Sequence, residues 1–210
     1  MKKKVIAFFC GVICTLLIVG CSGGSKVKEL TDQDTKTYAE QMKEDPLSGD
    51  INLNGVKLSL PINVKTLADN GFKFNDYDHK SQELENDYYV DDIIMDDGKK
   101  GEDTRIRVTI YNNSGTTVKL DDAKIGEIKI KKSKEPYKNT VVLPKGITLN
   151  STYDDVINAY GKPKVDYMNE AGFVNYFTSD IGEYGQKMEI YFDKTTKVVN
   201  SIELKNIPYQ

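Results

Sequence analysis

The stretch from Gly146 to Pro163 constrains the fold of this chain most strongly, because it holds a whole helix with its start and stop signals. Ser151 or Thr152 can cap the helix, and Asp154 or Asp155 follows three residues later in the capping-box position. A Gly-Lys-Pro sequence ends it. The pattern predicts a short helix that covers one face of a sheet, with a buried stripe of Val156, Ile157 and Tyr160.

A weaker version of the same pattern begins at Gly55 and ends at Asn70-Gly71. Its helical stripe consists of Val64, Leu67 and Ala68. The two versions share few identities, so the match could be a coincidence of common helix stops, but tandem duplication is the favoured interpretation. The predicted fold class is therefore α+β, with two tandem units at residues 51–135 and 136–210. Each unit is expected to pack short helices on one face of an antiparallel sheet of about four strands.

Runs of alternating apolar and polar residues between turn signals predict the strands. They are expected near residues 51–58, 88–95, 105–111, 116–120, 127–131, 140–144, 173–178, 187–192 and 198–204. In the third of these runs, Ile106, Val108 and Ile110 share one face, and the polar residues share the other. Each sheet is thus expected to have one covered face and one wet face.

The wet face is the predicted partner-binding surface, because tyrosine and arginine dominate protein-interface hot spots. These residue types are also good strand formers, so any single one could simply be a solvated strand residue. The candidate partner-binding residues are Arg105, Arg107, Tyr111, Glu189 and Tyr191.

The first twenty residues have the composition of a secretory signal peptide: Lys2-Lys3-Lys4 precede an apolar run, and Gly20 precedes Cys21. The ending Ile18-Val19-Gly20-Cys21 resembles the lipobox of bacterial lipoproteins. That resemblance implies cleavage before Cys21 and a lipid anchor, with acyl chains such as palmitate, on its thiol. The alternative is a transmembrane anchor, but the apolar run of about fifteen residues is short for a span that needs roughly twenty.

Residues 21–50 are polar and read as a flexible tether between the lipid and the folded part. The expected location is the extracytoplasmic face of a cell membrane, in a Gram-positive bacterium. The chain has 32 acidic and 29 basic residues, and removal of the three signal lysines makes it more acidic. Nucleic-acid binding requires clustered positive charge and is therefore not expected.

Catalytic and metal-binding patterns are weak. Cys10 and Cys14 lie in the signal segment, so no cysteine is left for a disulfide, a nucleophile or a metal once Cys21 carries lipid. His79, the only histidine, lies in a polar loop and is interpreted as solvated. An acidic group could hold a cation weakly, but it does not fit the EF-hand register; it consists of Asp91, Asp92, Asp96, Asp97, Glu102 and Asp103. The sequence predicts no catalytic residue, metal site or cofactor.

The segments around residues 146–163, 112–125 and 191–198 together resemble the tandem β-lactamase-inhibitor-protein-like fold and, more distantly, the SmpA/OmlA-type lipoprotein domain. The resemblance implies a helix-loop-helix on a four-stranded sheet in each half, and a concave surface that grips another protein. The disulfides of that family have no counterpart here. The functional hypothesis is a lipid-anchored, non-catalytic protein-binding or inhibitor-like module. The alternative is an extracellular sensor of a small ligand or cation.

Overall fold

The computed structural model describes residues 29–75, 82–97, 104–133, 139–178 and 185–208. The predicted signal segment, Cys21, His79, Glu102 and Asp103 lie outside the described residues, as does the predicted boundary between residues 135 and 136.

The described residues form 14 strands and three short α-helices. The strands are β1 (Asp50–Leu53), β2 (Val56–Ser59), β3 (Ile62–Asn63), β4 (Lys73–Phe74), β5 (Glu83–Leu84), β6 (Tyr89–Asp96), β7 (Ile106–Tyr111), β8 (Val118–Lys119), β9 (Lys124–Lys131), β10 (Val141–Val142), β11 (Val165–Asp166), β12 (Phe173–Phe177), β13 (Gln186–Phe192) and β14 (Val199–Asn206). The helices are α1 (Asp32–Ala39), α2 (Val64–Asp69) and α3 (Tyr153–Tyr160).

One antiparallel sheet of nine strands dominates the architecture. Its strands follow the order β11-β12-β13-β14-β9-β7-β6-β4, and β3 pairs with the end of β9. A second sheet has the order β10-β1-β2, and β5 pairs with β8 in a short two-stranded ladder.

The predicted fold class of two tandem α+β units is wrong, because the large sheet runs continuously through both halves of the chain. β9 belongs to the predicted first unit and β14 to the second, yet the two strands pair. Their paired residues run from Ser201 opposite Lys131 to Lys205 opposite Glu127. β1 likewise pairs with β10. An unpaired strand edge leaves a row of N–H and C=O groups open, and joining two edges satisfies both rows. The described chain is mainly β-structure with a few short helices rather than two separate α+β units.

A single hydrophobic core lies against one side of the large sheet. It contains Ile128 of β9, Leu204 of β14, Leu67 of α2 and Val156 of α3 in one continuous cluster. Residues Ile51 and Leu53 of the second sheet belong to the same cluster. Helices α2 and α3 and the second sheet therefore contribute to the same core, and both halves of the chain share its burial free energy.

The helix predicted from the stretch ending at Pro163 is confirmed as α3. Thr152 caps it: its hydroxyl accepts a hydrogen bond from the Asp155 backbone N–H at 3.2 Å, and the Asp155 carboxylate accepts one from the Thr152 N–H at 2.7 Å. Gly161 follows with φ 76°, a conformation that favours glycine.

Val156 is fully buried, whereas Ile157 and Tyr160 are half-buried. In α2, Val64 and Leu67 are buried as predicted, while Ala68 is exposed.

The later part of the predicted tether contacts the rest of the fold. α1 begins at the Thr31 cap and packs against the turn at residues 144–146. The Lys57 ammonium donates to the Gln41 carbonyl at 2.6 Å, and the Gln186 amide donates to the Leu47 carbonyl at 2.7 Å. These contacts fix residues from both halves of the chain to the segment that precedes β1.

Truncation of Ile128 tests the position of the shared core. Ile128 is fully buried on the central strand β9, so we expect Ile128→Ala to lower the free energy of unfolding by about 2–5 kcal/mol. Ile62→Ala is the matched control, because Ile62 is only half-buried, and its loss should be clearly smaller. Urea unfolding measures both, and equal losses would contradict this placement of the core.

Candidate functional site

The side of the large sheet opposite the core carries polar and charged residues, and it is called the polar face here. The predicted alternation is confirmed on β7, where Ile106, Val108 and Ile110 are buried in the core. The polar face is defined by Arg107, Thr109 and Tyr111 of β7, Glu127, Lys129 and Lys131 of β9, Lys187, Glu189 and Tyr191 of β13, and Ser201, Glu203 and Lys205 of β14.

Six alternating charges occupy the centre of the polar face and form what is called the charge network. Its members are Glu127, Lys129, Lys187, Glu189, Glu203 and Lys205. Across the β9–β14 junction, opposite charges face each other directly, with Glu203 beside Lys129 and Lys205 beside Glu127. Opposite-charge pairs across a junction stabilise the register of the two strands.

Lysines bridge the glutamates throughout the charge network. The Lys129 ammonium lies 3.0 Å from Glu127 and 3.7 Å from Glu203, and the Lys205 ammonium lies 3.4 Å from Glu127. Glu189 lies directly opposite Glu203 on the neighbouring strand, an arrangement of like charges that is unfavourable by itself. Lys187 offsets this repulsion, because it pairs with Glu203 and lies 3.5 Å from Glu189.

The glutamate side chains of the charge network are largely shielded from water. The exposed fractions are 4% for Glu127, 10% for Glu189 and 12% for Glu203. The prediction of a wet face is therefore wrong for the centre of the sheet. Neighbouring side chains on a flat sheet cover one another, and the lysine stems add to this cover. Buried charges are retained when they are paired, and these glutamates are.

Glu127 and Glu203 influence each other's ionisation, and their pKa values are shifted in opposite directions. Burial raises the pKa of Glu203, and the nearby Glu127 charge raises it further against the lowering effect of Lys187. Burial also acts to raise the pKa of Glu127, but its interactions with Glu203 and with the Lys129 and Lys205 ammonium groups outweigh this and lower it. Protonation is thus easiest at Glu203.

An aromatic group borders the network on the β12–β13 side. The Tyr191 hydroxyl donates to the Glu189 carboxylate, and burial followed by this hydrogen bond raises the pKa of Tyr191. The Tyr191 ring packs on Phe173 at a centroid distance of 5.4 Å, and Phe173 packs edge-on against Tyr167 at 5.5 Å. The Asn175 amide donates to Glu189 at 3.1 Å.

A groove of about 470 Å³ borders the network on the opposite side, where β6 and β7 meet the end of β14. It is called the tyrosine groove here, and its lining residues are Asp87, Tyr88, Tyr89, Asp91, Thr109, Tyr111, Asn112, Asn113, Glu127, Lys205, Ile207 and Pro208. The groove combines the aromatic rings of Tyr88, Tyr89 and Tyr111 with carboxylate and amide groups.

Two linked turns hold the tyrosines at the rim of the groove. The Asn112 backbone N–H donates to the Tyr88 carbonyl at 3.0 Å, and the Asp87 N–H donates to the Asn112 carbonyl at 2.8 Å. The Asn112 side chain secures the second turn by donating to the carbonyls of Leu84 and Thr116 at 2.9 and 2.7 Å. These hydrogen bonds fix the backbone that carries the two exposed tyrosines.

The candidate partner-binding residues occupy different environments. Arg107 is exposed and pairs with Asp92, so its guanidinium reaches solvent at the edge of the polar face. Tyr111 is buried in the wall of the tyrosine groove, Glu189 is buried in the charge network, and Tyr191 is half-buried beside it. Arg105 is exposed and precedes β7 rather than belonging to it.

The acidic group singled out in the sequence lies partly within the described residues, and its members there have structural roles. Asp91 and Asp92 lie on the part of β6 that β4 does not pair with, where charges discourage edge-to-edge association. Asp97 accepts a hydrogen bond from the Thr104 hydroxyl at 2.6 Å. Within the described residues, no group of three or more histidine, cysteine or acidic side chains could hold a metal ion.

Comparison with known proteins gave no match to a protein-family model, to a curated protein sequence or to a solved structure. In the part of the chain that the structure describes, no helix is long and apolar enough to cross a membrane.

Sequence reasoning assigned no partner-binding role to several residues that the fold brings together: Tyr88, Tyr89, Asp91, Glu127, Lys187, Glu203 and Lys205. A usable signal was present, because glutamate and lysine occur two residues apart on each of β9, β13 and β14. That spacing places each pair on one face of its strand. This spacing does not show which strands lie side by side, so it does not predict that the three pairs meet on one sheet.

Replacement of Glu203 tests the electrostatics of the network. The pKa of Glu203 is higher in the folded chain than the ordinary glutamate pKa of the unfolded chain, so protonation of Glu203 favours folding. This contribution to the free energy of unfolding is lost as the pH rises from the ordinary pKa through the raised one. We therefore expect the stability of Glu203→Gln, relative to the wild type, to increase as the pH rises above the ordinary glutamate pKa of about 4.3.

Urea unfolding across this pH range measures the effect. Glu170→Gln, at an exposed glutamate outside the network, should show a difference from the wild type that does not change with pH. A constant or decreasing relative stability of Glu203→Gln would contradict the raised pKa.

Proposed function

We propose that this chain is a lipid-anchored, extracytoplasmic lipoprotein that acts as a non-catalytic module for binding another protein. The observation that carries the binding role is the polar face itself, where an ordered charge network lies between two aromatic groups. Support for the anchor comes from the sequence before Cys21, which resembles a lipobox.

The composition of the polar face favours a protein as its partner. Tyrosine and arginine are enriched at interface hot spots, and Tyr88, Tyr89 and Arg107 are the exposed examples along one side of this face. The ion pairs at its centre hold their geometry before association, which reduces the entropy cost of binding. Fixed charges of both signs also provide specificity, because a wrongly charged partner is repelled.

The proposed anchor agrees with the charge of the chain. An acidic protein gains no electrostatic attraction to an anionic membrane surface, so attachment must come from the lipid. Two acyl chains give stable membrane binding, whereas one gives only marginal binding. A diacylated Cys21 would therefore hold the folded part close to the membrane surface.

Charge reversal on the polar face tests the binding role. Arg107→Glu with Lys131→Glu alters two exposed residues of that face, whereas Lys162→Glu with Lys164→Glu makes the same charge change on the loop after α3. Full-length tagged chains are crosslinked in intact host cells, and the captured proteins are quantified. We expect the first variant to lose the captured partner by about tenfold or more, while the second retains it. Equal capture by both variants would contradict the assignment.

The anchor has an independent test in metabolic labelling with a radioactive fatty acid. Wild-type chain should carry the label, and Cys21→Ala should carry none, because the thiol is the proposed attachment point. Cys14→Ala is the control, since Cys14 lies in the segment that would be cleaved away, and it should be labelled like the wild type. Label on Cys21→Ala would rule out this anchor.

A further inference from the structure

We infer that the tyrosine groove is the subsite of the polar face that receives a lysine or arginine side chain of the protein partner. This inference rests on the proposed protein-binding function and names the chemistry of its partner. Four features of the groove support it: its unbalanced charge, its exposed aromatic rim, a buried hydroxyl group without a partner, and its size.

The charge balance of the groove is negative. Its lining contains the carboxylates of Asp87, Asp91 and Glu127 and one cation, Lys205. Lys205 pairs with Glu127, so these two charges compensate each other. Asp87 and Asp91 make no ion pair with any residue in the described ranges; Asp87 accepts from the Asn86 amide, and Asp91 accepts from Thr109. The groove therefore has two carboxylates without an ion-pair partner among the described residues, and these can attract an incoming cation.

The Asp91 carboxylate is held in a fixed orientation with one oxygen available. Its Oδ1 accepts hydrogen bonds from the Thr109 hydroxyl at 2.6 Å and from the Asp92 backbone N–H at 2.8 Å. The hydrogen bond from Thr109 is the main reason that the pKa of Asp91 is lowered, so the carboxylate stays ionised. The Oδ2 atom makes no hydrogen bond within the described part of the chain and can accept one from an ammonium or guanidinium group.

The aromatic rim adds a second attraction for a cation. Tyr88 and Tyr89 are 61% and 67% exposed, the highest values among the large hydrophobic side chains of the described residues. Aromatic ring faces attract ammonium and guanidinium groups, and their surface also packs against an aliphatic stem. Lysine and arginine combine a charged head with such a stem, whereas a metal ion has none.

The independent observation is the Tyr111 hydroxyl. Tyr111 is only 4% exposed and forms part of the groove wall, and its hydroxyl oxygen has no hydrogen-bond partner among the described residues. Its ring packs closely over Gly126 next to Ile207, so a side chain at position 126 would displace it. Burial raises the pKa of Tyr111, which keeps the phenol neutral. A buried hydroxyl group without a partner is unfavourable, and a cation whose N–H group reached this oxygen would satisfy it.

The size of the groove fits one basic side chain with its adjoining backbone. Its volume of about 470 Å³ lies within the range of ligand pockets. The groove also continues into the polar face through Thr109 and Glu127, which belong to both. A partner that covers the charge network can thus insert a side chain here without leaving that face.

Peptide titration of the full-length chain in non-ionic detergent micelles tests the inference. The probe is acetyl-Gly-Gly-Lys-Gly-Gly-amide, and the matched probes carry norleucine or glutamate instead of lysine. Binding is followed by NMR through the ring signals of Tyr88 and Tyr89. We expect the lysine peptide to shift these signals saturably and the other two peptides to bind at least about tenfold more weakly, because they lack the cation.

Two variants locate the site on the groove. Asp91→Asn keeps the size of the side chain and a carbonyl oxygen for Thr109 but removes the charge, and we expect about a tenfold loss of affinity for the lysine peptide. Tyr89→Leu should also weaken binding. Glu170→Gln is the matched control at an exposed acid outside the groove and the charge network, and it should bind like the wild type.

The outcomes separate this inference from the proposed function. Absence of lysine-peptide binding, or unchanged binding by Asp91→Asn, would overturn the inference even if polar-face charge reversal abolishes partner capture. Equal affinity for butylamine and the lysine peptide would also overturn it, because the groove would then be a site for a free amine. Peptide binding with the expected losses supports it, whereas equal partner capture by the two charge-reversed chains contradicts the proposed function alone.

Discussion

The pairing of β9 with β14 is the constraint on which the rest of this structure depends. It joins the two halves of the chain into one sheet, and it places Ile128 opposite Leu204 and Ile130 opposite Ile202 on the core side. The same pairing aligns Glu127 with Lys205 and Lys129 with Glu203 on the other side. A slip of one residue would turn apolar side chains to the polar face and glutamates into the core, so burial on one side and charge on the other both specify this register.

We expect the charge network to contribute more to specificity than to stability. Ion pairs that are shielded from water lose much of their Coulomb attraction to desolvation, and replacing them with apolar residues is often neutral or stabilising. An apolar replacement here would leave both faces of the sheet hydrophobic, and such a surface associates without selectivity. Alternating glutamates and lysines keep the face soluble, fix the register and present a defined pattern of charge. The aromatic groups on either side then supply apolar area where the ion pairs cannot.

Local features of the chain could be predicted from the sequence, and long-range ones could not. The alternating runs predicted β6, β7, β12, β13 and β14 to within one or two residues, and the capping pattern predicted α3. Alternation assigns a residue to a face but does not reveal which strand lies beside it, so the partners of Glu127 remained hidden. The burial of Tyr111 depends on Gly126 and Ile207 packing against its ring. The repeated helix-stop pattern suggested two separate units, but the backbone hydrogen bonds between β9 and β14 join the two halves into one sheet.

Native-state hydrogen exchange tests the continuity of the sheet most directly. The amides of Ile110 on β7, Ile128 on β9, Leu204 on β14 and Ile190 on β13 span the junction between the two halves. The continuous sheet predicts that these four amides exchange with one common free energy of opening and one common dependence on denaturant, because they open only when the whole sheet unfolds. Two distinct free energies, one for Ile110 and Ile128 and another for Ile190 and Leu204, would contradict a single sheet.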